Sequence, residues 1–143
     1  MPRIFEDTHI VTPEEIDELG HASNVHYLGW AVTAAVRHSA AQGWTTERYL
    51  ERGQVWVVRE HQITYRRSAL VDDRVTIRTW VANMNRATSL RRYEIIREHD
   101  GTLLAEASTN YAYIDLASGM PRRIPPELSG SFEIVPDAAK ESA

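Results

Sequence analysis

From Val25 to Ala41 the chain carries Tyr27, Leu28, Ala31, Val32, Ala34, Ala35 and Val36 on more than one helical face. A helix apolar nearly all round has to be covered on most sides, which rules out a simple surface helix. His26, Arg37 and His38 interrupt the run, so it reads as a buried helix rather than a membrane span. Asn24 or Ser23 can cap its start and Gly43 can stop it, giving one helix over about 24–42. Its alanines allow close approach to a sheet.

What lies on either side supplies that cover. Ile4 to Val11 alternates loosely, as a first strand would. Thr12, Pro13 and Glu15 then stand as N-cap, first-turn proline and capping-box carboxylate of a short turn that Gly20 ends. After the long helix, Thr45 to Glu51 reads as a short second helix, capped by Thr45 and closed by Gly53. Beyond it β-branched and aromatic residues dominate: Val55 to Val58, then Ile63 to Tyr65. Arg74 to Ala82 places Val75, Ile77, Thr79 and Val81 on one face and Thr76, Arg78 and Trp80 on the other. Thr88 to Glu98 and Leu103 to Leu116 follow, joined by the hairpin signal Asp100-Gly101. Pro125-Pro126 starts a short terminal helix, and Asp137 to Ala143 reads as a frayed tail. One strand, one buried helix and then consecutive hairpin-linked strands make an α+β pattern, an antiparallel sheet with a helix on one face. Association of copies through an edge strand is the simplest way to manage the exposed edges.

At 143 residues the chain is read as one domain with a core over about 4–126. A net charge of -4 argues against bulk nucleic-acid binding. With no cysteine in the chain, thiol nucleophiles, disulfide scaffolds and Cys-rich zinc sites are excluded. The N-terminus lacks the apolar core of a signal peptide, so a cytoplasmic protein is expected.

The chemistry concentrates in the loop before the long helix, where Asp17, Gly20, His21 and Asn24 bring together a carboxylate, an imidazole and an amide. The first helical turn leaves backbone N–H groups unpaired and partly positive, so it can receive a forming oxyanion. Asp17 can serve as a nucleophile or general base, or only turn the loop. His21 can orient Asp17 or a water, and equally can be a solvated loop residue. His21 and His26 are five apart with no accompanying ligand set, so no metal site is expected. Trp30, Trp56 and Trp80 read as core or interface residues, with Trp30 or Trp56 also able to line a pocket.

Asp17-x-x-Gly20-His21-x-Ser23-Asn24-x-x-Tyr27-Leu28 resembles the D-x-x-G-H-x-N-N-x-x-Y-L pattern of hotdog-fold thioesterases, in particular the 4-hydroxybenzoyl-CoA thioesterase-like group. Ser23 replaces the first of the two asparagines. Ile63 to Arg67, Asp73 with the strand Val75 to Thr79, and Ile114-Asp115 with Gly119 to Pro121 add to the resemblance. It implies a hotdog fold: an antiparallel sheet of five or six strands wrapped around one long central helix. It further implies an acyl-CoA thioesterase that releases CoA and a carboxylic acid without a cofactor, acting as a dimer or a dimer of dimers. An acyl-carrier-protein thioesterase and a non-catalytic acyl-thioester-binding module are the alternatives. On this resemblance Asp17 is the catalytic carboxylate, assisted by His21, and the backbone N–H of Asn24 or Val25 receives the oxyanion. Val25 and Tyr27 are expected beside the substrate. Of the basic stretches Asn85-Arg86, Arg91-Arg92 and Arg122-Arg123, arginine pairs on strands are mostly solvated faces, and Arg86, Arg122 and Arg123 are expected to meet the phosphates of the carrier. Some relatives place the carboxylate on the helix. Here Thr33, Arg37 and alanines fill those places, and Glu51 or Glu60 could reach across a dimer interface instead.

Overall fold

The apolar segment forms α1, Asn24–Ala41, in the computed structural model, which describes residues 4–137. Ser23 occupies the cap position in extended conformation, so Asn24 lies inside the first turn. Gly43 follows the helix at φ +95°, a left-handed geometry that glycine adopts without steric cost. The short α2, Thr46–Arg52, starts with the Thr45 side chain accepting the Arg48 N–H and ends at Gly53, φ +75°. Both signals act as the sequence suggests.

Among the described residues five strands make one antiparallel sheet: β1 (Phe5–Ile10), β2 (Gln54–Tyr65), β3 (Arg74–Met84), β4 (Thr88–Arg97) and β5 (Leu103–Asp115), in the order β1-β3-β4-β5-β2. Asp100-Gly101 closes the β4–β5 hairpin, with Gly101 at φ +71°. The expected first turn is a single 3-10 turn, Pro13–Glu15. The terminal helix α3 is Pro126–Ser129. Asp137 receives a bidentate pair from Arg92 at 2.6 Å, and the rest of the expected frayed tail lies outside the described residues.

β2 differs from its sequence reading. Two separate apolar stretches become one twelve-residue strand that carries Arg59, Glu60 and His61 through its middle. The register against β5 shifts between Val58 and Glu60, leaving Arg59 as the extra residue of a bulge. An edge strand can hold such charges because one side of it meets water.

The sheet curves around α1 as the α+β hotdog architecture requires. Ala31, Ala34 and Ala35 lie against it, and Tyr93 fills the space the two flanking alanines leave, with Ala107 on its other side. Val75, Ile77 and Thr79 face inward and are buried. On the outer face Arg78 donates to Glu94 at 2.9 Å, and Arg66 to Glu106 at 2.7 Å. Cover over α1 is incomplete, however. Val25 is 67% exposed and Val36 51%, on the side toward β2. The helix meets the sheet with its alanine face and presents its valines outward. Among the described residues no helix is long and apolar enough to cross a membrane.

Candidate functional site

The loop before α1 is held by its own backbone. Asp17 N–H donates to the His21 carbonyl at 2.8 Å, and Gly20 N–H donates to the Asp17 carbonyl at 3.1 Å. Gly20 sits at φ +80°, where a side chain would be strained. Ala22 N–H reaches the Ala69 carbonyl and Ser23 N–H the Glu15 carbonyl, each at 2.8 Å, which pins the far end of the loop to the body. Asp17 Oδ1 accepts the Leu19 N–H at 2.9 Å, an Asx turn, so one carboxylate oxygen shapes the loop. The residue itself is exposed, His21 is half-buried, and Asn24 and Val25 are exposed at the helix start. The Asn24 carbonyl is tied by the Tyr65 hydroxyl at 2.9 Å, linking the helix start to the end of β2.

Tyr27 lies elsewhere. It is 3% exposed within the core, and its hydroxyl accepts the Ala69 N–H at 2.8 Å. Its ring packs on Trp30 and meets Tyr65 edge-on. Trp30 is likewise core, donating through Nε1 to Glu15 Oε2 at 2.7 Å. Glu15 also accepts from the Thr12 N–H at 2.9 Å and pairs with His9 Nε2 at 2.8 Å. Burial would raise this carboxyl, but the hydrogen bonds from Thr12, His9 and Trp30 outweigh it and hold the group at about 2. The sequence showed Glu15 only as a capping-box residue. Its tie to Trp30, fifteen residues on, depends on how the loop folds back.

An apolar cavity of about 340 Å³ opens between the second half of α1 and the first half of β2, lined by Val32, Val36, Trp44, Val55, Trp56 and Arg91 among others. Trp56 thus lines a pocket, whereas Trp80 is buried from the outer face of the sheet beside Arg92 and Glu94. The sequence offers Arg91 only as half of a basic pair on a strand; it is 6% exposed on β4, and nothing in its local pattern separates it from the half-buried Arg92 beside it, which pairs with Asp137. Arg86 and Arg123 share an open groove of about 420 Å³ with Asn85 and Ser129. Arg122 turns away and faces Asp115 at 4.0 Å. Arg37, on α1, pairs with Asp7 at 2.8 Å on the β1 side, and Thr33 lines the same side. Glu51 and Glu60 are exposed.

Two groups of residues therefore stand at opposite ends of β2. Asp17, His21 and Asn24 lie by its last residue, Tyr65, while the cavity and the Arg86–Arg123 groove lie by its first half. A strand of twelve residues spans about 36 Å at 3.3 Å per residue. No grouping of three or more His, Asp or Glu side chains suited to a metal occurs among the described residues.

The sequence that builds this fold matches a known family. The model of the thioesterase-like superfamily covers residues 11–132, from the end of β1 through α3. The chain belongs to the thioesterase-like superfamily. Solved structures agree with the thioesterase-like fold. A Lactobacillus plantarum protein assigned as an oleoyl thioesterase is 28% identical with a TM-score of 0.85, over 93% of this chain and 52% of its own. The chain thus spans about half the length of that relative. A 1,4-dihydroxy-2-naphthoyl-CoA thioesterase from Synechocystis has a TM-score of 0.84 at 17% identity, over 90% of this chain and 94% of its own. A Staphylococcus aureus protein solved in complex with CoA has a TM-score of 0.84 at 19% identity, over 90% of this chain and 80% of its own. No protein of curated function matches the sequence.

Proposed function

We propose that this thioesterase-like chain hydrolyses an acyl-CoA and does so as a dimer, or a dimer of dimers, joined along the free edge of β2. The observation that carries the reading is the separation of the two residue groups along that strand. Antiparallel pairing of β2 with β2 of a second copy sets the first half of one strand beside the end of the other. The cavity and arginine groove of one subunit then meet the loop and helix start of its partner. The apolar flank supports such a contact: Val57 and Val58 on β2 are 37% and 46% exposed, next to the outward valines of α1.

In this reading the acyl chain enters the cavity between α1 and β2, and Arg86 and Arg123 meet the carrier phosphates by side-chain contact. Arg122, turned toward Asp115, contributes less. Asp17 takes a proton from water as water attacks the thioester carbonyl, or attacks that carbon itself to give an anhydride that water then opens. The Asn24 or Val25 N–H receives the oxyanion, and the C–S bond breaks as the thiolate regains a proton. His21 orients the carboxylate or the water. CoA binding in a neighbour of the same fold supports the choice of carrier.

Asp17→Asn is the informative test, because the amide oxygen can still accept the Leu19 N–H and keep the turn. Thiol release from short, medium, long and aromatic acyl-CoAs is expected on at least one substrate and should fall ~10²-fold or more in Asp17→Asn, with unchanged unfolding. Full activity in that variant would remove Asp17 from the chemistry. A folded wild type inert on every CoA ester but active on acyl carrier protein would move the reading to that carrier. Binding of esters without turnover would leave a binding module.

A further inference from the structure

Arg91 enters the cavity wall from β4 and is 6% exposed. Its Nη1 donates to His38 Nδ1 at 2.9 Å and to Thr79 Oγ1 at 3.1 Å. Both partners are uncharged: burial first, and then the charge of Arg91, lower the His38 ring to about 4, so near neutral pH it accepts. Among the described residues no carboxylate forms an ion pair with Arg91. The other groups facing it are the phenols of Tyr49, Tyr93 and Tyr111, none of them a carboxylate. The rest of the cavity is lined chiefly by valine and aromatic side chains, with Ser39, Thr46 and Ser89 as uncharged polar groups among them. A guanidinium withdrawn from water without a counter-charge is costly unless a ligand supplies one. A planar fork of N–H donors matches a carboxylate best.

We infer that Arg91 is an anion-recognition residue and that the cavity takes a medium-chain ligand bearing a carboxylate, which pairs with the guanidinium while its methylenes lie along the apolar walls. Two sources share this chemistry: an acyl group with a carboxylate at its far end, or the free acid that hydrolysis releases. Assigning the source rests on the thioesterase reading above; the carboxylate site itself does not.

Trp44 and Trp56 line the cavity and report its occupancy by fluorescence. Wild-type protein titrated with octanoate and with neutral octanamide is expected to prefer the acid by about tenfold or more. Arg91→Lys should keep a preference for the acid and Arg91→Met should lose it, with circular dichroism confirming the fold. If Arg91→Met does not fold, the wild-type ratio and its retention in Arg91→Lys still decide. Equal binding of acid and amide, or binding of neither, overturns the inference. The source follows from turnover of octanoyl-CoA against 7-carboxyheptanoyl-CoA, which has the same chain length. Preference for the carboxylated ester assigns the far-end carboxylate, and equal rates with inhibition by octanoate assign the released acid. Octanoate binding with no turnover of either ester upholds the anion site and sinks the thioesterase reading instead.

Discussion

Tyr27 shows how one residue type in a motif can belong to packing. Its hydroxyl satisfies the Ala69 N–H inside the core, and Ala69 in turn accepts the Ala22 N–H that holds the Asp17 loop. Tyr27→Phe leaves a buried amide without an acceptor, a loss of about 1–3 kcal/mol. Denaturant unfolding should show that loss, and the Asp17 loop should loosen with it. Asp17 has the opposite character. It is exposed and only one of its oxygens is engaged in the turn. Its sequence context allows both turn and chemistry, and in the structure the turn is made through Oδ1.

At the scale of the element, His38 ties the C-terminal part of α1 to the sheet, beside the Arg37–Asp7 pair. His38 stacks on Phe5 at 5.1 Å between centroids, meets Phe132 edge-on at 5.2 Å and accepts from Arg91. The folded state holds this ring neutral down to about 4, whereas the unfolded chain takes its proton near 6.5. The unfolded state therefore binds more protons between those values. Stability present above pH 6.5 is lost as pH falls toward 4, by roughly 2 kcal/mol at pH 5. His38→Gln, which can still offer an oxygen to Arg91, should flatten that slope in unfolding measurements at pH 7 and pH 5. The Glu15 network gives a separate, lower window. Its folded carboxyl titrates near 2 against an ordinary 4.5, so its contribution persists above pH 4.5 and disappears only as pH falls toward 2.

At the scale of the whole molecule, shared sites make a specific prediction. Asp17→Asn removes one half of each site, and Arg86→Glu with Arg123→Glu removes the other. If each site is built from both subunits, two such inactive proteins unfolded and refolded together should regain about a quarter of the wild-type rate. Half of a random mixture is hybrid, and one of the two sites in each hybrid is intact. Sites confined to one subunit would be damaged in every chain and would regain nothing.

Local chemistry is legible in the residues themselves. Thr45 and Gly53 mark the ends of α2, Asp100-Gly101 marks a hairpin, and the alternation in 74–82 assigns its faces, because caps, turns and strand periodicity act over a few residues. The order of elements and the loop motif together fixed the α+β hotdog architecture. What needed the tertiary structure was everything that joins distant positions. Glu15 meets Trp30, Arg91 is buried while Arg92 is not, and Arg86 with Arg123 stands at the opposite end of β2 from Asp17. A sequence specifies which side chains a strand alternates between its faces. Only the assembled sheet, its bulge at Arg59 and the helix laid across it decide which of those faces closes around a cavity.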